Sequence, residues 1–401
     1  MPHPTPAGYQ YSATNYHPLP VTLVKGEGVY LWDAAGNKYL DMMSAYSAVS
    51  HGHCHPELLA TLREQAEQLC ITSRAYYSDK LEPFLQYACE ITGQEKALPM
   101  NTGAEAVETA IKAARKWAYT VKGVAKDSAE IIVCSDNFHG RTTSIISFST
   151  ELQYKAGFGP FTPGFKVVPY GDAHALAAAI TPNTAAFLVE PIQGESGIHL
   201  PPAGYLAACA IICSKNNVLL IADEIQTGLG RTGKLLACEH EKVKPDGLIL
   251  GKALGGGILP VSLFLSSKAV MDVFQPGDHG STFGGNPLAA AVGLKALQLI
   301  VSNKLAERSA ELGEYFLQRL HTLNSPLIKA IRGRGLFVGI EIDTQRANAC
   351  VLCEQLMHDG LLTKETHHTV IRLCPPLTIN REQLDEAVSI LQKSLRTMAG
   401  K

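Results

Sequence analysis

The chain has no marked excess of charge of either sign. Its 401 residues include 35 Lys and Arg and 37 Asp and Glu, which gives a net charge of −2 with histidine neutral. Proteins that bind nucleic acid or an anionic membrane through their overall charge carry a strong positive balance. We therefore expect neither a nucleic-acid nor a membrane partner.

Aromatic residues are few, and the sequence shows no internal repeat or low-complexity segment. Aromatic side chains make up 7% of the chain, hydrophobic residues 46% and charged residues 18%. These proportions exclude a repeat array and a disordered chain, and they provide for a large core. Because single cores stop growing near about 250–300 residues, a chain of this length predicts two domains.

The sequence offers no disulfide framework and no metal site. Its ten cysteines are scattered and mostly lie in apolar stretches, as is typical of buried thiols in a reducing cytosol. The CxxC of Cys350 and Cys353 has no second pair, and the histidine-rich residues 51–55 lack further ligands at metal spacing, so no metal is expected. Residues 1–8 contain no apolar or Arg-rich stretch, which predicts a cytoplasmic protein without a targeting peptide.

Short apolar runs alternate with helical stretches between about residues 98 and 261. This alternation favours a mostly parallel sheet that is covered on both faces. Residues 17–41 predict short strands, and the chain after residue 287 predicts long helices and then the strands of a smaller α+β domain. The predicted buried runs are Ile131 to Cys134, Phe165 to Val168, Ala186 to Val189, Val218 to Ala222 and Leu248 to Leu250.

Lys252 follows the apolar residues 247–251 and precedes the glycine-rich residues 253–257. A strand end that opens into a glycine loop is where α/β proteins place ligand chemistry. A lysine partly removed from water has a lowered pKa, so its amine can act as a nucleophile and form a Schiff base. Taken alone, however, the residue is better explained as a surface lysine that closes a strand.

Asp223 ends the predicted buried strand that lies one crossover before Lys252. A carboxylate at this position costs desolvation free energy unless a cation pairs with it. The protonated nitrogen of a pyridine ring is such a cation, and a carboxylate keeps it protonated so that the ring can accept electrons. The alternative is an aspartate that caps the next helix.

Three further segments carry groups suited to a phosphorylated ligand. The small residues of segment 101–106 open a helix and expose backbone N–H groups to phosphate, although Thr-Gly is also an ordinary N-cap. Phe138 can stack on a ring and Arg141 can bind a carboxylate, but a packed Phe and a surface Arg explain this segment equally well. Residues 280–286 offer hydroxyl groups and amides, or they form a simple loop.

Two glycine motifs point to a nucleotide instead. Gly228, Gly230 and Gly233 match GxGxxG, and residues 228–234 nearly match a P-loop. The P-loop requires Ser or Thr after its lysine, where Leu235 stands, and the GxGxxG segment does not follow directly from a strand. A nucleotide-binding α/β module is therefore the alternative from another class, and a non-catalytic interaction protein is a third.

Taken in order, these segments resemble the class III, fold-type I aminotransferases, which use pyridoxal 5′-phosphate. The resemblance covers almost the whole chain, and several spaced motifs in one order make it specific. The motifs are Thr102-Gly103-Ala104-Glu105-Ala106, Phe138-His139-Gly140-Arg141, Glu190-Pro191-Ile192-Gln193-Gly194-Glu195, Asp223-Glu224-Ile225-Gln226, Gly251-Lys252 and Ser281-Thr282-Phe283-Gly284-Gly285-Asn286.

The resemblance implies a fold and an assembly. A large domain with a mostly parallel seven-stranded sheet would occupy residues 51–290, and a smaller α+β domain residues 291–401. Residues 1–50 would join the small domain. The resemblance also implies a homodimer, in which Ser281 and Thr282 reach the neighbouring subunit's phosphate.

The resemblance implies roles for single residues as well. Lys252 and Asp223 would be catalytic, and the cofactor would be bound by Thr102, Gly103, Ala104, Phe138, Asp223, Gln226, Lys252, Ser281 and Thr282.

Further segments resemble the members of this family that act on ornithine. They are Asn15 to Pro20, Ser44 to Val49, Gly52 to Pro56 and Thr72 to Ala75. The resemblance implies transfer of the δ-amino group of L-ornithine to 2-oxoglutarate, which gives L-glutamate 5-semialdehyde and L-glutamate. The substrates would be bound by Tyr16, Tyr46, Arg141, Glu195 and Arg372.

His139 departs from the Trp that many ornithine-specific members carry. The same Phe-His-Gly-Arg sequence occurs in acetylornithine aminotransferases. Activity on N-acetylornithine or 4-aminobutyrate is therefore the nearest alternative, and it shares all the cofactor residues.

Overall fold

The computed structural model describes residues 11–400, in which the strands form three sheets. The strands are β1 Leu23–Glu27, β2 Tyr30–Asp33, β3 Lys38–Asp41, β4 Lys96–Met100, β5 Glu130–Cys134, β6 Phe165–Val168, β7 Thr184–Val189, β8 Leu219–Asp223, β9 Gly247–Leu250, β10 Ser262–Ser266, β11 Ile328–Arg334, β12 Phe337–Ile342, β13 Leu361–Leu362, β14 Glu365–Thr366 and β15 Val370–Leu373.

Helices cover the sheets and join their strands. They are α1 Ser44–Ser47, α2 Pro56–Gln68, α3 Leu81–Thr92, α4 Gly103–Trp117, α5 Thr143–Ile146, α6 Leu152–Lys155, α7 Ala173–Ala179, α8 Tyr205–Lys215, α9 Lys268–Met271, α10 Pro287–Ser302, α11 Leu305–His321, α12 Ala349–His358 and α13 Arg381–Ala399. Within residues 11–400 no single helix has the length and apolar composition needed to cross a membrane, although α10 and α11, bent by 57° at their junction, meet that test as a pair.

The central sheet has seven strands in the order β4-β10-β9-β8-β7-β5-β6. Strands β9, β8, β7, β5 and β6 run parallel to one another, and β10 runs antiparallel to both β4 and β9. The predicted α/β fold with a mostly parallel seven-stranded sheet is therefore confirmed. The sequence did not predict β4 or β10.

Alternate residues of the central strands enter two separate cores. On β5, Ile131 and Val133 belong to the apolar cluster that contains the buried face of α4. Their neighbours Ile132 and Cys134 belong to the cluster that contains residues of α8. Because successive side chains of a strand point to opposite faces, both faces of the sheet are covered, as the apolar runs predicted.

Two smaller sheets lie outside the central one. The first has the order β1-β2-β3-β13, and the second has the antiparallel order β11-β12-β15-β14. Strand β13, close to the C-terminus, pairs in parallel with β3, so the N-terminal strands are joined to the C-terminal part of the chain. The domain boundaries 1–50, 51–290 and 291–401 stay a prediction.

Candidate active site

A cavity of about 190 Å³ lies where parallel strands of the central sheet reach their carboxyl ends. Strands β5, β7, β8 and β9 are neighbours and run in one direction, so the residues that follow them meet at one edge of the sheet. The cavity is lined by Gly103, Ala104, Phe138, His139, Gly140, Glu190, Asp223, Ile225, Gln226, Thr227 and Lys252.

Lys252 begins a short 3-10 turn, Lys252–Gly255, which is separated from the end of β9 by Gly251 alone. Its φ of 45° lies in the left-handed region, which a residue with a β-carbon adopts only at a cost. Burial lowers the pKa of the Lys252 amine below its usual value, although the carboxylates of Glu195 and Asp223 oppose this shift. The lowered pKa increases the share of neutral amine, which is the nucleophilic form.

Asp223, the last residue of β8, is 4% exposed, and its Oδ2 atom lies 2.6 Å from Nδ1 of His139. Its Oδ1 atom accepts the N–H of Ile225 at 3.0 Å. Burial by itself would lower the pKa of His139, but the hydrogen bond to Asp223 and the charges of Asp223 and Glu190 raise that pKa above its usual value. The sequence analysis treated His139 only as a departure from Trp, so this buried pair was missed.

Glu190 follows β7 and adds a fourth titratable group to the cavity, after Lys252, Asp223 and His139. Burial raises its pKa to about 7, and the neighbouring Asp223 adds to this shift. His139 and the backbone N–H groups of Phe138, at 3.1 Å, and Gly194, at 3.4 Å, oppose it. Sequence reasoning placed Glu190 in a motif but gave it no role.

The N-terminus of α4 forms another wall of the cavity. Thr102 caps this helix in a capping box with Glu105, and the following Gly103 and Ala104 line the cavity. The first N–H groups of a helix have no acceptor within the helix, so they favour an anion. A β-carbon at Gly103 would lie 2.9 Å from Cδ1 of Ile225, so this close approach of backbone and side chain requires glycine.

Phe138 and Arg141 follow β5, as the sequence predicted, and both contact Tyr154. The rings of Phe138 and Tyr154 meet edge to face with centroids 6.1 Å apart. The guanidinium carbon of Arg141 lies 4.2 Å from the Tyr154 ring centroid and 5.8 Å from that of Phe138. Arg141 is exposed, so its charge remains available to a ligand. Tyr154 carried no signal in the sequence that would have placed it here.

Glu195 and Arg372 form an ion pair beside the cavity, with Oε1 and Nη1 2.7 Å apart. The side chain of Arg372 is 4% exposed and that of Glu195 is 19% exposed, so the pair is largely shielded from water. Burial would lower the pKa of Arg372, but Glu195, Cys374 and Tyr46 raise it above its usual value. The sequence placed these two residues in one site, and the structure brings them together.

Tyr46 lies in α1, whose four residues all have positive φ angles, from 47° to 73°. The segment is therefore a left-handed turn, a conformation that costs roughly 1–2 kcal/mol per residue for L-amino acids. The Tyr46 ring centroid lies 4.7 Å from the guanidinium carbon of Arg372. The Tyr46 carbonyl also accepts a hydrogen bond from Nε2 of Gln226 at 3.4 Å, so Tyr46 joins the cavity to the ion pair.

Among the predicted site residues that do not line the cavity of this chain are Tyr16, Ser281 and Thr282. Tyr16 is 74% exposed. Ser281 is half-buried, where its hydroxyl accepts hydrogen bonds from Asn101 and from the N–H of Gly284, each at 3.0 Å, and Thr282 is exposed. The predicted roles of these three residues therefore remain predictions.

The glycine motif at residues 228–233 holds a structural arginine. The side chain of Arg231 donates to the carbonyls of Leu336, at 3.0 Å, and Pro375, at 2.6 Å, and to the hydroxyl of Ser50, also at 3.0 Å. Arg231 is 1% exposed. The motif therefore joins three parts of the chain, which gives its sequence a structural explanation without a phosphate. Within residues 11–400 no group of three or more His, Cys, Asp or Glu side chains is arranged to hold a metal ion.

The chain is similar to known aminotransferases over nearly its whole length. The sequence model of the family described as "Aminotransferase class-III" matches residues 11–395. An ornithine aminotransferase of Geobacillus sp. (strain WCH70) is 58% identical over 384 residues, which cover 96% of this chain and 96% of that one.

Solved aminotransferase structures share the fold. An ornithine aminotransferase from Toxoplasma gondii, crystallised with oxidised glutathione and described with PLP at partial occupancy in its active site, has a TM-score of 0.96 and 46% identity. This match covers 98% of this chain and 93% of the Toxoplasma chain. An acetylornithine aminotransferase from Elizabethkingia anophelis has a TM-score of 0.88 and 49% identity, with 96% of each chain covered.

Proposed function

The chain belongs to the class-III aminotransferase family, and from that premise we propose that it transfers the δ-amino group of L-ornithine to 2-oxoglutarate. The products are L-glutamate 5-semialdehyde, which cyclises to pyrroline-5-carboxylate, and L-glutamate. The two substrates react in turn in the same cavity, so the enzyme follows a ping-pong mechanism.

The residues of the cavity fit pyridoxal 5′-phosphate. Lys252 offers an amine for its aldehyde, the Asp223 carboxylate suits a protonated ring nitrogen, and the apolar ring of Phe138 suits a planar ligand. The N-terminus of α4 at Gly103 and Ala104 suits its phosphate. When bound, this cofactor supplies an aldehyde that links to amines and a ring that withdraws electrons from the carbon that loses its proton.

Lys252 and Asp223 perform the proton chemistry. The neutral Nζ atom of Lys252 would remove the proton from the δ-carbon of ornithine and return it to the carbon that carries the cofactor's aldehyde. The lowered pKa of the lysine amine serves this exchange because it raises the share of the neutral amine, which is the form that acts as a base. Asp223, oriented by the 2.6 Å contact with His139, would hold a proton on the ring nitrogen of the bound cofactor.

The proposed choice of substrates rests on the ion pair between Glu195 and Arg372. One site must accept a cationic amino chain in the first half-reaction and a dicarboxylate in the second. While paired, Glu195 masks the positive charge of Arg372 from ornithine. When Glu195 moves away, the guanidinium can bind the α-carboxylate of glutamate through two hydrogen bonds. Arg141 binds the distal carboxylate, Tyr46 covers Arg372, and Tyr16 binds the α-group end of ornithine.

Half-reactions measured without any keto acid test this proposal. We expect L-ornithine to change the visible absorbance of the purified enzyme faster than N-acetylornithine or 4-aminobutyrate at equal concentration. The concentration of glutamate 5-semialdehyde formed should equal the concentration of the enzyme. A higher rate with either of the other amines would overturn the choice of ornithine while leaving the aminotransferase activity intact.

Activity on N-acetylornithine is the second candidate. It is favoured by His139, which stands in the Phe-His-Gly-Arg sequence of acetylornithine aminotransferases, and by the 49% identity to the acetylornithine enzyme of E. anophelis. The same half-reactions distinguish the two candidates. N-acetylornithine lacks the positive charge of the α-amino group, so an enzyme that selects ornithine by this charge reacts faster with ornithine.

The enzyme acts as a cytoplasmic homodimer, without a nucleic-acid or membrane partner. Thr282 and Phe283 are exposed beside Ser281, and Tyr76 and Tyr77 are 74% and 105% exposed, which leaves apolar surface for a second copy to cover. In the dimer Ser281 and Thr282 contact the phosphate in the other subunit. Analytical ultracentrifugation should give about twice the chain mass of 43.1 kDa, and a monomer would overturn the assembly.

A further inference from the structure

The left-handed turn α1 carries Tyr46 against Arg372 and contains no glycine. Its residues Ser44, Ala45, Tyr46 and Ser47 have φ angles of 49°, 47°, 60° and 73°. A strained backbone of this kind persists only where surrounding contacts hold it in place. The contacts that hold this turn therefore also hold the ring of Tyr46 over the guanidinium.

Asp41 holds the start of the turn. Its Oδ1 atom accepts hydrogen bonds from the backbone N–H groups of Met43 and Ser44, each at 2.9 Å. The hydroxyl of Ser44 then donates to the carbonyl of Cys374 at 2.5 Å, two residues beyond Arg372. Asp41 is only 2% exposed, so water cannot easily replace its bonds. One carboxylate oxygen therefore organises the backbone that presents Tyr46.

His53 holds the second oxygen of the same carboxylate. Its Nε2 atom lies 2.7 Å from Oδ2 of Asp41. The backbone of His53 exchanges two hydrogen bonds with Gly28, at 3.0 and 2.7 Å. A β-carbon at Gly26 would lie 2.9 Å from the His53 side chain, so the strand that contains this glycine packs closely against it. The N-terminal strands therefore fix His53, and His53 fixes Asp41.

We propose that Asp41 and His53 are positioning residues that set the substrate preference through the turn that carries Tyr46. This inference rests on the proposed function, because it explains the ratio between the half-reaction rates with ornithine and with glutamate. Without the His53 contact, Asp41 can turn away from the N–H groups of residues 43 and 44. The left-handed turn then relaxes, and the ring of Tyr46 leaves Arg372. An uncovered Arg372 favours glutamate over ornithine.

The test compares His53→Phe with His53→Gln in the cofactor-loaded enzyme. Phe keeps the bulk and removes the N–H group, whereas Gln keeps an N–H group near the position of Nε2. We expect His53→Phe to lower the ratio of the ornithine to the glutamate half-reaction rate by about tenfold or more, since a shift of roughly 1 Å can cost about a hundredfold. His53→Gln should keep the ratio of the two half-reaction rates close to the wild-type value. His174→Phe, at an exposed site, is the matched control.

Hydrogen exchange of residues 41–50 gives a second measurement that does not depend on the reaction. In His53→Phe the amides of residues 43 and 44 should exchange faster, with the visible absorbance of the bound cofactor unchanged. Unchanged protection with an unchanged rate ratio would overturn the proposal, and so would an equal fall of both half-reactions. If the wild-type enzyme does not react with ornithine, the proposed function fails, and the exchange result still decides whether the pair holds the turn.

Discussion

His139 and Asp223 lie 84 residues apart in the sequence, yet their side chains meet at 2.6 Å in the floor of the cavity. The side chain of His139 is 0% exposed and that of Asp223 is 4% exposed. Both side chains are shielded from solvent, so the imidazole fixes the orientation of the carboxylate. The pair therefore adds His139 to the residues of the proposed catalytic site.

Replacing His139 with Phe should weaken cofactor binding and slow turnover. A hydrogen bond to a charged group contributes about 1.5–3 kcal/mol, which corresponds to roughly 10- to 150-fold. His139→Asn should lose much less, because its amide can donate from nearly the same position as Nδ1. Absorbance titration with pyridoxal 5′-phosphate and kcat would be measured for both variants. Equal affinity and kcat in His139→Phe and wild type would contradict this role.

The sequence predicted the parts of the fold and site that depend on local pattern. Lys252 and Asp223 became candidates because each follows or ends an apolar run, and the ends of parallel strands meet at one edge. The local pattern alone favoured a surface lysine and allowed a helix-capping aspartate, so the ordered motifs of the family were needed to assign both residues to a site. The strand β10 was not predicted, and the pattern of its five buried residues carries no information on its antiparallel direction. The left-handed turn that carries Tyr46 has no glycine to signal it, and it depends on contacts with distant parts of the chain.

Lys252→Ala should abolish turnover. The variant keeps the cavity but has no amine to link to the cofactor or to move the substrate proton. The visible absorbance that depends on the lysine linkage should also be lost. Lys126→Ala, at an exposed position, controls for the loss of a lysine as such. Steady-state activity in Lys252→Ala, measured as glutamate formed from ornithine and 2-oxoglutarate, would refute the assignment.

Glu190 should make stability depend on pH. Its pKa is raised from 4.5 to about 7 by burial, so the folded chain favours the protonated carboxyl. This contribution to stability is fully present below pH 4.5 and is lost as the pH rises through 7. The loss amounts to roughly 3–4 kcal/mol, since each pKa unit corresponds to about 1.4 kcal/mol.

Urea denaturation of the cofactor-free chain from pH 5 to pH 8 measures this effect. The free energy of unfolding should fall more steeply with rising pH in the wild type than in Glu190→Gln, which cannot ionise. Because the neighbouring His139 also has a raised pKa, the effect of Glu190 is measured as the difference between the two proteins. Glu67→Gln, at an exposed site, should follow the wild type. Parallel curves for wild type and Glu190→Gln would show that Glu190 ionises normally.

Glu195→Ala should shift the enzyme from ornithine towards glutamate. The substitution leaves the buried guanidinium of Arg372 without its partner at 2.7 Å, so that charge becomes permanently available to an α-carboxylate. The half-reaction with glutamate should become faster and the half-reaction with ornithine slower, with a change of about tenfold or more in their ratio. Stopped-flow absorbance with each amino acid alone measures the two rates.

Glu195→Gln separates charge from shape. Gln fills the same space and can accept a hydrogen bond from Arg372, but it does not neutralise the guanidinium. If the charge of Glu195 masks Arg372, Glu195→Gln should behave like Glu195→Ala. If the side chain acts only by occupying space, Glu195→Gln should keep the wild-type ratio, and a ratio unchanged in both variants would exclude any role for Glu195 in substrate choice.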